Sequence, residues 1–343
     1  MSSFLVVDVG GTKILAAALD REGKILARLK LKTDRASKES LIAQLEGALD
    51  TVVAEAKLLK SEIGGIALGV PGVVDSARGH VVLTPNAPLT DTPLREILSR
   101  KWSCPIVVGN DVNVGMAGEV WRGAAQGASS AFGIFVGTGI GGALVINNQV
   151  VEGFRGLSGE IGHLLVPLGA ELETGAPGKK QLFLEELCSR TAIENQLRLA
   201  ISKGQKTVLT EIIGAKKLDR IRSGALKDAL KKNDPLVTEV VRRASHLLGL
   251  ATASVLHIVD TEVVVFGGGV IEACGRWMMP QIEATVQKVV MQGTGAPVKI
   301  VQSTLGDDAI LYGGLSLLLT TPPAPTPIEQ PVIFAAVDKP VGK

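Results

Sequence analysis

Four short segments hold residues whose types and spacing fit chemistry on a phosphate or a hydroxyl. The first is Asp8-Val9-Gly10-Gly11-Thr12-Lys13: a carboxylate, two glycines, a hydroxyl and an amine set between two apolar runs. The second is Gly137-Thr138-Gly139-Ile140-Gly141-Gly142, also between apolar runs. The third is Asn110-Asp111-Val112-Asn113, directly after Pro105-Ile106-Val107-Val108-Gly109. The fourth is Gly159-Glu160-Ile161-Gly162-His163, which spaces a carboxylate and an imidazole at i and i+3.

Paired glycines between strands suit a tight hairpin turn. They also let backbone N–H groups approach an anion closely, which a phosphate cradle needs. Two turns of the same form, one preceded by Asp8 and carrying Thr12 and Lys13, favour the phosphate reading over a plain hairpin. The second turn also matches G-x-G-x-x-G, the dinucleotide fingerprint, but that motif requires a helix to begin at the loop. Ala143-Leu144-Val145-Ile146 reads as a strand instead, which disfavours a dehydrogenase. The first turn does not fit the nucleotide P-loop pattern either, because its lysine follows the threonine.

At the carboxyl end of a strand, Asp111 could accept a proton from an attacking hydroxyl that Asn110 fixes in place. Equally, Asp111 or Asn113 could simply cap the following helix. Glu160 and His163 beside glycines could hydrogen-bond the vicinal hydroxyls of a sugar. A zinc reading of His163 lacks partners, since the four histidines and the three cysteines (Cys104, Cys188, Cys274) form no ligand cluster.

These segments must be positioned by regular elements. Phe4–Leu31 and Phe132–Phe154 echo each other: apolar strand, glycine turn, apolar strand, polar turn, third strand. A unit repeated about 130 residues apart implies two related halves. Helical spacing is expected over Ser37–Leu59, Leu94–Lys101, Asn113–Arg122, Glu185–Ser202 and Pro235–Ile258, with strands at Ile63–Val70, Pro105–Gly109 and Glu262–Phe266. Alternating strands and helices predict an α/β protein. The charged stretch Lys203–Lys232 reads as a solvated helical surface. Residues 321–343 hold six of the sixteen prolines and read as a disordered tail.

The 343 residues suffice for two domains and a large core. Lys+Arg 36 against Asp+Glu 34 leaves a net charge of +2, and aromatics are 3% of the chain. That composition argues against nucleic-acid or membrane partners. The longest apolar run, Ala131–Ile146, spans 16 residues with five glycines and is a poor membrane span. Few scattered cysteines and an N-terminus without a basic region predict no signal peptide and a cytoplasmic protein.

Taken together, the segments resemble the ROK family (repressors, open reading frames and sugar kinases) of the actin-like ATPase superfamily. The resemblance covers about residues 4–319. It rests on Asp8–Lys13, Gly69-Val70-Pro71-Gly72, Pro85-Asn86, Asn110–Asn113, Gly137–Gly141, Gly159–His163, Leu184-Glu185 through Ser189, Ala192-Ile193, Phe266–Gly269 and Gly306-Asp307-Asp308-Ala309, in the family's order. It implies two RNase H-like α/β domains, each a mixed sheet flanked by helices, with a cleft between them. The smaller would comprise residues 1–115 plus about 302–320, the larger 116–301.

The resemblance further implies ATP-dependent phosphorylation of a hexose, with ATP and Mg²⁺ as cofactors and a homodimer as an open possibility. Glucose is the first expectation for the sugar; N-acetylhexosamine, mannose and fructose are alternatives. Asp8, Gly10, Gly11, Thr12, Lys13, Gly137, Thr138, Gly139 and Gly141 would flank the phosphates, with Asp8 near Mg²⁺ through water. Gly267, Gly268 and Gly269 would sit by the adenosine. Asp111 would be the general base. Asn110, Glu160, His163 and Glu185 would bind the sugar, with Gly72 and Asn86 lining the same pocket. Many members carry a Cys-x-Cys-Gly-x-x-Gly-Cys zinc motif; here Ala176, Gly178 and Phe183 stand in the cysteine positions, so zinc is expected to be absent. A repressor of the family would carry a helix-turn-helix before the first turn, and Asp8 leaves no room for one. A sugar-binding protein without catalysis is the remaining alternative.

Overall fold

The computed structural model describes residues 2–167, 181–214, 218, 221–294 and 296–320. The expected disordered tail, and Ala176 and Gly178, lie outside these residues. The strands are β1 (Ser3–Val9), β2 (Lys13–Leu19), β3 (Ile25–Lys32), β4 (Ile63–Val70), β5 (Val73–Asp75), β6 (His80–Leu83), β7 (Ile106–Asn110), β8 (Ala131–Val136), β9 (Ile140–Ile146), β10 (Gln149–Val151), β11 (Leu165–Pro167), β12 (Gln181–Phe183), β13 (Val263–Gly267) and β14 (Lys299–Gln302). The helices are α1 (Lys38–Glu55), α2 (Leu94–Ser99), α3 (Asp111–Arg122), α4 (Leu184–Cys188), α5 (Arg190–Ser202), α6 (Ser223–Lys231), α7 (Pro235–Val259), α8 (Gly269–Val289) and α9 (Ala309–Thr320).

Two five-stranded mixed sheets dominate, in the orders β3-β2-β1-β4-β7 and β10-β9-β8-β13-β14. Each starts as an antiparallel three-strand meander and continues with two parallel strands. The echo between the two halves of the sequence is therefore an echo of topology. Helices flank both sheets, as the resemblance implies.

Residue pattern explains the strand positions. In β1 every residue but Asp8 is buried, as a central strand covered on both faces requires. In β3 burial alternates strictly, so Leu29 and Leu31 face the core while Arg28, Lys30 and Lys32 blunt an edge. On α1, Leu41, Leu45, Leu49 and Val52 form one apolar stripe, and Ser37 and Ser40 close its capping box.

Glycines set the closest helix crossing. A Cβ on Gly118 of α3 would strike the carbonyl of Ala309, and one on Gly313 of α9 would strike the carbonyl of Val114. The two helices thus meet backbone to backbone. Leu311 and Leu315 of α9 share a buried cluster with Phe4, Val6 and Ala67 of the first sheet.

Three expectations need correction. The helix expected over Glu185–Ser202 is two helices, because Ser189 takes an extended ψ of 164° and caps α5 by accepting from Ala192 N at 3.1 Å. The cap of α3 is neither Asp111 nor Asn113 but Asn110, whose Oδ1 accepts from Val112 N and Asn113 N at 2.9 and 3.0 Å. The stretch Lys203–Lys232 is not all solvated surface: Leu209, Ile221, Ala225, Leu226, Ala229 and Leu230 are buried in the core under the second sheet. Among the described residues no helix is long and apolar enough to cross a membrane.

Candidate active site

Asp111 opens α3 at the carboxyl end of β7, and two elements close on it. A Cβ on Gly69, at the end of β4, would lie 3.4 Å from the Asp111 Cα. One on Gly141, at the start of β9, would lie 2.7 Å from Val112. The head of α3 thus touches both sheets, the first at Asp111 and the second at Val112. One Asp111 oxygen accepts from Val112 N at 2.9 Å. Burial pushes its carboxyl up to about 6, partly offset by the backbone N–H groups of Val112 and Asp111, with the charge of Glu160 pushing it further up.

Carboxylates line up on either side. Burial pushes Asp8 up to about 7, and the Asp111 charge adds to this. Lys13 pulls Asp8 down again. Lys13 in turn pairs with Asp307 at 2.5 Å, and Lys30 reaches the same carboxylate at 3.3 Å. Hydrogen bonding from Lys13 holds Asp307 below the ordinary carboxylate range. On the other side, burial and the Glu185 charge raise Glu160 while His163 lowers it. The sequence from Lys13 through Asp307, Asp8, Asp111, Glu160 and on to His163 and Glu185 is one electrostatically connected row.

The two glycine turns adjoin this row, and each is closed by a backbone hydrogen bond from its first glycine, over loops of different length. In the first, Gly10 N donates to Lys13 O at 2.9 Å; in the second, Gly137 N donates to Gly139 O at 2.8 Å. The N–H groups of Gly11, Thr12, Thr138 and Gly139 meet no acceptor among the described residues. Unmet N–H groups on a glycine turn make an anion cradle. Buried Thr33 braces the first turn, donating from Oγ1 to Gly10 O at 2.6 Å. The second is braced by α4 and α5. Glu185 Oε2 accepts from Ile140 N at 2.7 Å, Arg190 N donates to Gly137 O at 2.9 Å, and Thr191 Oγ1 donates to Thr138 O at 2.8 Å.

The remaining sequence candidates fall around these groups. Asn86 backs onto Gly11, where a Cβ would stand 2.8 Å from its own. Gly72, at φ +97°, accepts from Asn110 Nδ2 at 2.9 Å. Asn110 therefore spends Oδ1 on the cap and one N–H on Gly72, which leaves one N–H for a ligand. His163 is exposed, and its ring meets Phe183 edge-on with centroids 5.2 Å apart. Gly267 pairs with Phe135, and a Cβ on Gly268 would meet the Val136 backbone, so Gly267–Gly269 lies beside the second turn. Glu185 accepts from Ile140 N, and this bond to the second turn gives it a role in shaping the cradle.

Four contributors were not singled out from the sequence: Thr33, Asp307, Arg190 and Thr191. Asp307 lay inside a matched segment with no role attached. Arg190 and Thr191 follow the Ser189 cap directly, so a polar pair at the start of a helix after Leu184-Glu185 was the available signal.

Two half-buried carboxylates, Asp8 and Asp111, the second of which raises the proton affinity of the first, form a donor set suited to a divalent cation with oxygen ligands. Among the described residues no group of three or more His, Cys, Asp or Glu side chains forms a metal cluster.

Residues 4–321 match the model described as the ROK family. The glucokinase of Halalkalibacterium halodurans is 31% identical over 319 residues, spanning 91% of this chain and 93% of that protein. The crystal structure of a ROK family glucokinase from Streptomyces griseus, in complex with glucose and AMPPNP, superposes with a TM-score of 0.75 at 25% identity, covering 92% of this chain and 99% of that one. The xylose repressor of Caldicellulosiruptor bescii is 24% identical, spanning 93% of this chain and 79% of that protein.

Proposed function

The chain belongs to the ROK family, and on that premise we propose that it is an ATP-dependent sugar kinase that phosphorylates a hexose hydroxyl, with glucose to glucose 6-phosphate as the first assignment. The carrying observation is Asp111: a carboxylate raised to about 6 at the head of α3, where Gly69 of β4 packs on Asp111 and Gly141, just after the second glycine turn, packs on Val112. Relatives named glucokinase and a related structure holding glucose and a nucleotide analogue support the acceptor and the donor.

Phosphoryl transfer asks the protein chiefly for positioning and charge stabilisation. In this reading Gly10–Lys13 and Gly137–Gly141 hold the nucleotide phosphates, and Gly267–Gly269 lies along the adenosine. Asp8 would hold Mg²⁺, which when bound supplies charge neutralisation to those phosphates. Asn110, Glu160, His163 and Glu185 orient the sugar, with Gly72 and Asn86 lining its pocket. Asp111 takes the proton of the attacking hydroxyl. A carboxylate with a pKa near 6 is ionised at neutral pH yet basic enough to share that proton in the transition state.

The test is ADP release from MgATP against glucose, mannose, fructose, N-acetylglucosamine and N-acetylmannosamine. Sugar-dependent release, highest with glucose, is the expected result. Release with another hexose alone moves the acceptor and keeps the kinase. Sugar binding without release from any of them replaces the kinase with a non-catalytic sugar-binding protein.

A further inference from the structure

The guanidinium of Arg190 lies at the second glycine turn. Its Nη2 donates to Thr138 Oγ1 at 2.7 Å. Its Nε is buried with no hydrogen-bond partner. A neutral hydroxyl is a poor complement to a guanidinium, whose five N–H donors in a planar fork suit phosphate oxygens. The backbone around it is fixed: Arg190 N bonds Gly137 O, Ser189 caps the helix, and Thr191 holds the Thr138 carbonyl. A pre-positioned cation with an unspent buried donor therefore borders the unmet N–H groups of Thr138 and Gly139. Arg190 stands between the segments Leu184–Ser189 and Ala192–Ile193 and belongs to none of the motifs that carried the resemblance.

We propose that Arg190 is a direct ligand of the nucleotide phosphates, exchanging the Thr138 hydroxyl for phosphate oxygens when nucleotide enters. This rests on the kinase reading above. The competing role is a brace that only shapes the turn. The two differ in charge: a brace needs a hydrogen bond to Thr138, whereas a phosphate ligand needs the cation as well.

The experiment is calorimetric titration of ADP and of adenosine into the wild-type chain, Arg190→Ala, Arg190→Gln and Arg190→Lys, with thermal unfolding of each. Glutamine retains a donor for Thr138 and removes the charge. The expected result is a loss of about ten-fold or more in ADP affinity for Arg190→Ala and Arg190→Gln, a smaller loss for Arg190→Lys, and adenosine affinity within about two-fold of wild type throughout. ADP affinity of Arg190→Gln equal to wild type overturns the proposal in favour of a brace. A parallel loss of adenosine affinity overturns it too, since the turn itself has then collapsed. Wild-type chain that binds no ADP defeats the kinase reading itself, and the proposal falls with it.

Discussion

At the scale of single residues, the site depends on half-buried carboxylates kept close together. Asp8 and Asp111 are both raised, to about 7 and about 6, mainly by burial. A general base must be ionised to act, so the Asp111 value sets an acid limb. As pH falls through about 6, kcat/KM should drop about ten-fold per unit, with no matching loss between pH 7 and 8. A kcat/KM profile flat down to pH 4.5, read with the protein still folded, contradicts that role for Asp111. Asp111 and both glycine turns were visible in the sequence, because glycine pairs and a carboxylate after an apolar strand are local signals. The partners that hold them were not. Thr33, Arg190 and Thr191 act on Gly10, Gly137 and Thr138 from 23 to 53 positions away, and only tertiary packing creates that proximity.

At the scale of elements, the decisive contact is the crossing of α3 and α9. Gly118 and Gly313 let the two backbones touch, and Asp111 is the first residue of α3. Any wedge in this crossing displaces the head of α3. Gly313→Ala should cost about 1–3 kcal/mol through overpacking, read as a lower midpoint in urea, and should weaken turnover more than nucleotide binding. An unchanged midpoint would mean that the helices part without cost. Most elements were legible from period and punctuation: β1 as an all-apolar run, α1 by its stripe, α7 by Asp234-Pro235 at its start. The break between α4 and α5 was not, since Leu184–Ser202 keeps its helical spacing across Ser189. The extended ψ of Ser189 and the hydrogen bond from Ala192 N to its side chain show the chain turning there. Likewise the burial of α6 against α8 follows from a partner that no local pattern names.

For the whole molecule, duplication is the organising fact. Both sheets have the same order and sense, each places a glycine turn after its first strand, and both pack on the head of α3, through Gly69 and Gly141. We propose the division into residues 1–115 with about 302–320, and 116–301, a boundary that falls within α3. The segment where the resemblance places a zinc motif reads Ala176, Gly178 and Phe183, and the Phe183 and His163 rings meet edge-on. We expect turnover to be unaffected by a zinc chelator, and elemental analysis to find no stoichiometric zinc. About one zinc per chain, lost together with activity on chelation, would contradict this. The most direct measurement of the central claim compares Asp111→Asn with wild type in two readouts, glucose affinity and glucose-dependent ADP release. The account predicts turnover lower by about 10²–10⁴-fold, with glucose affinity within a few-fold of wild type. Turnover within a few-fold of wild type would contradict it.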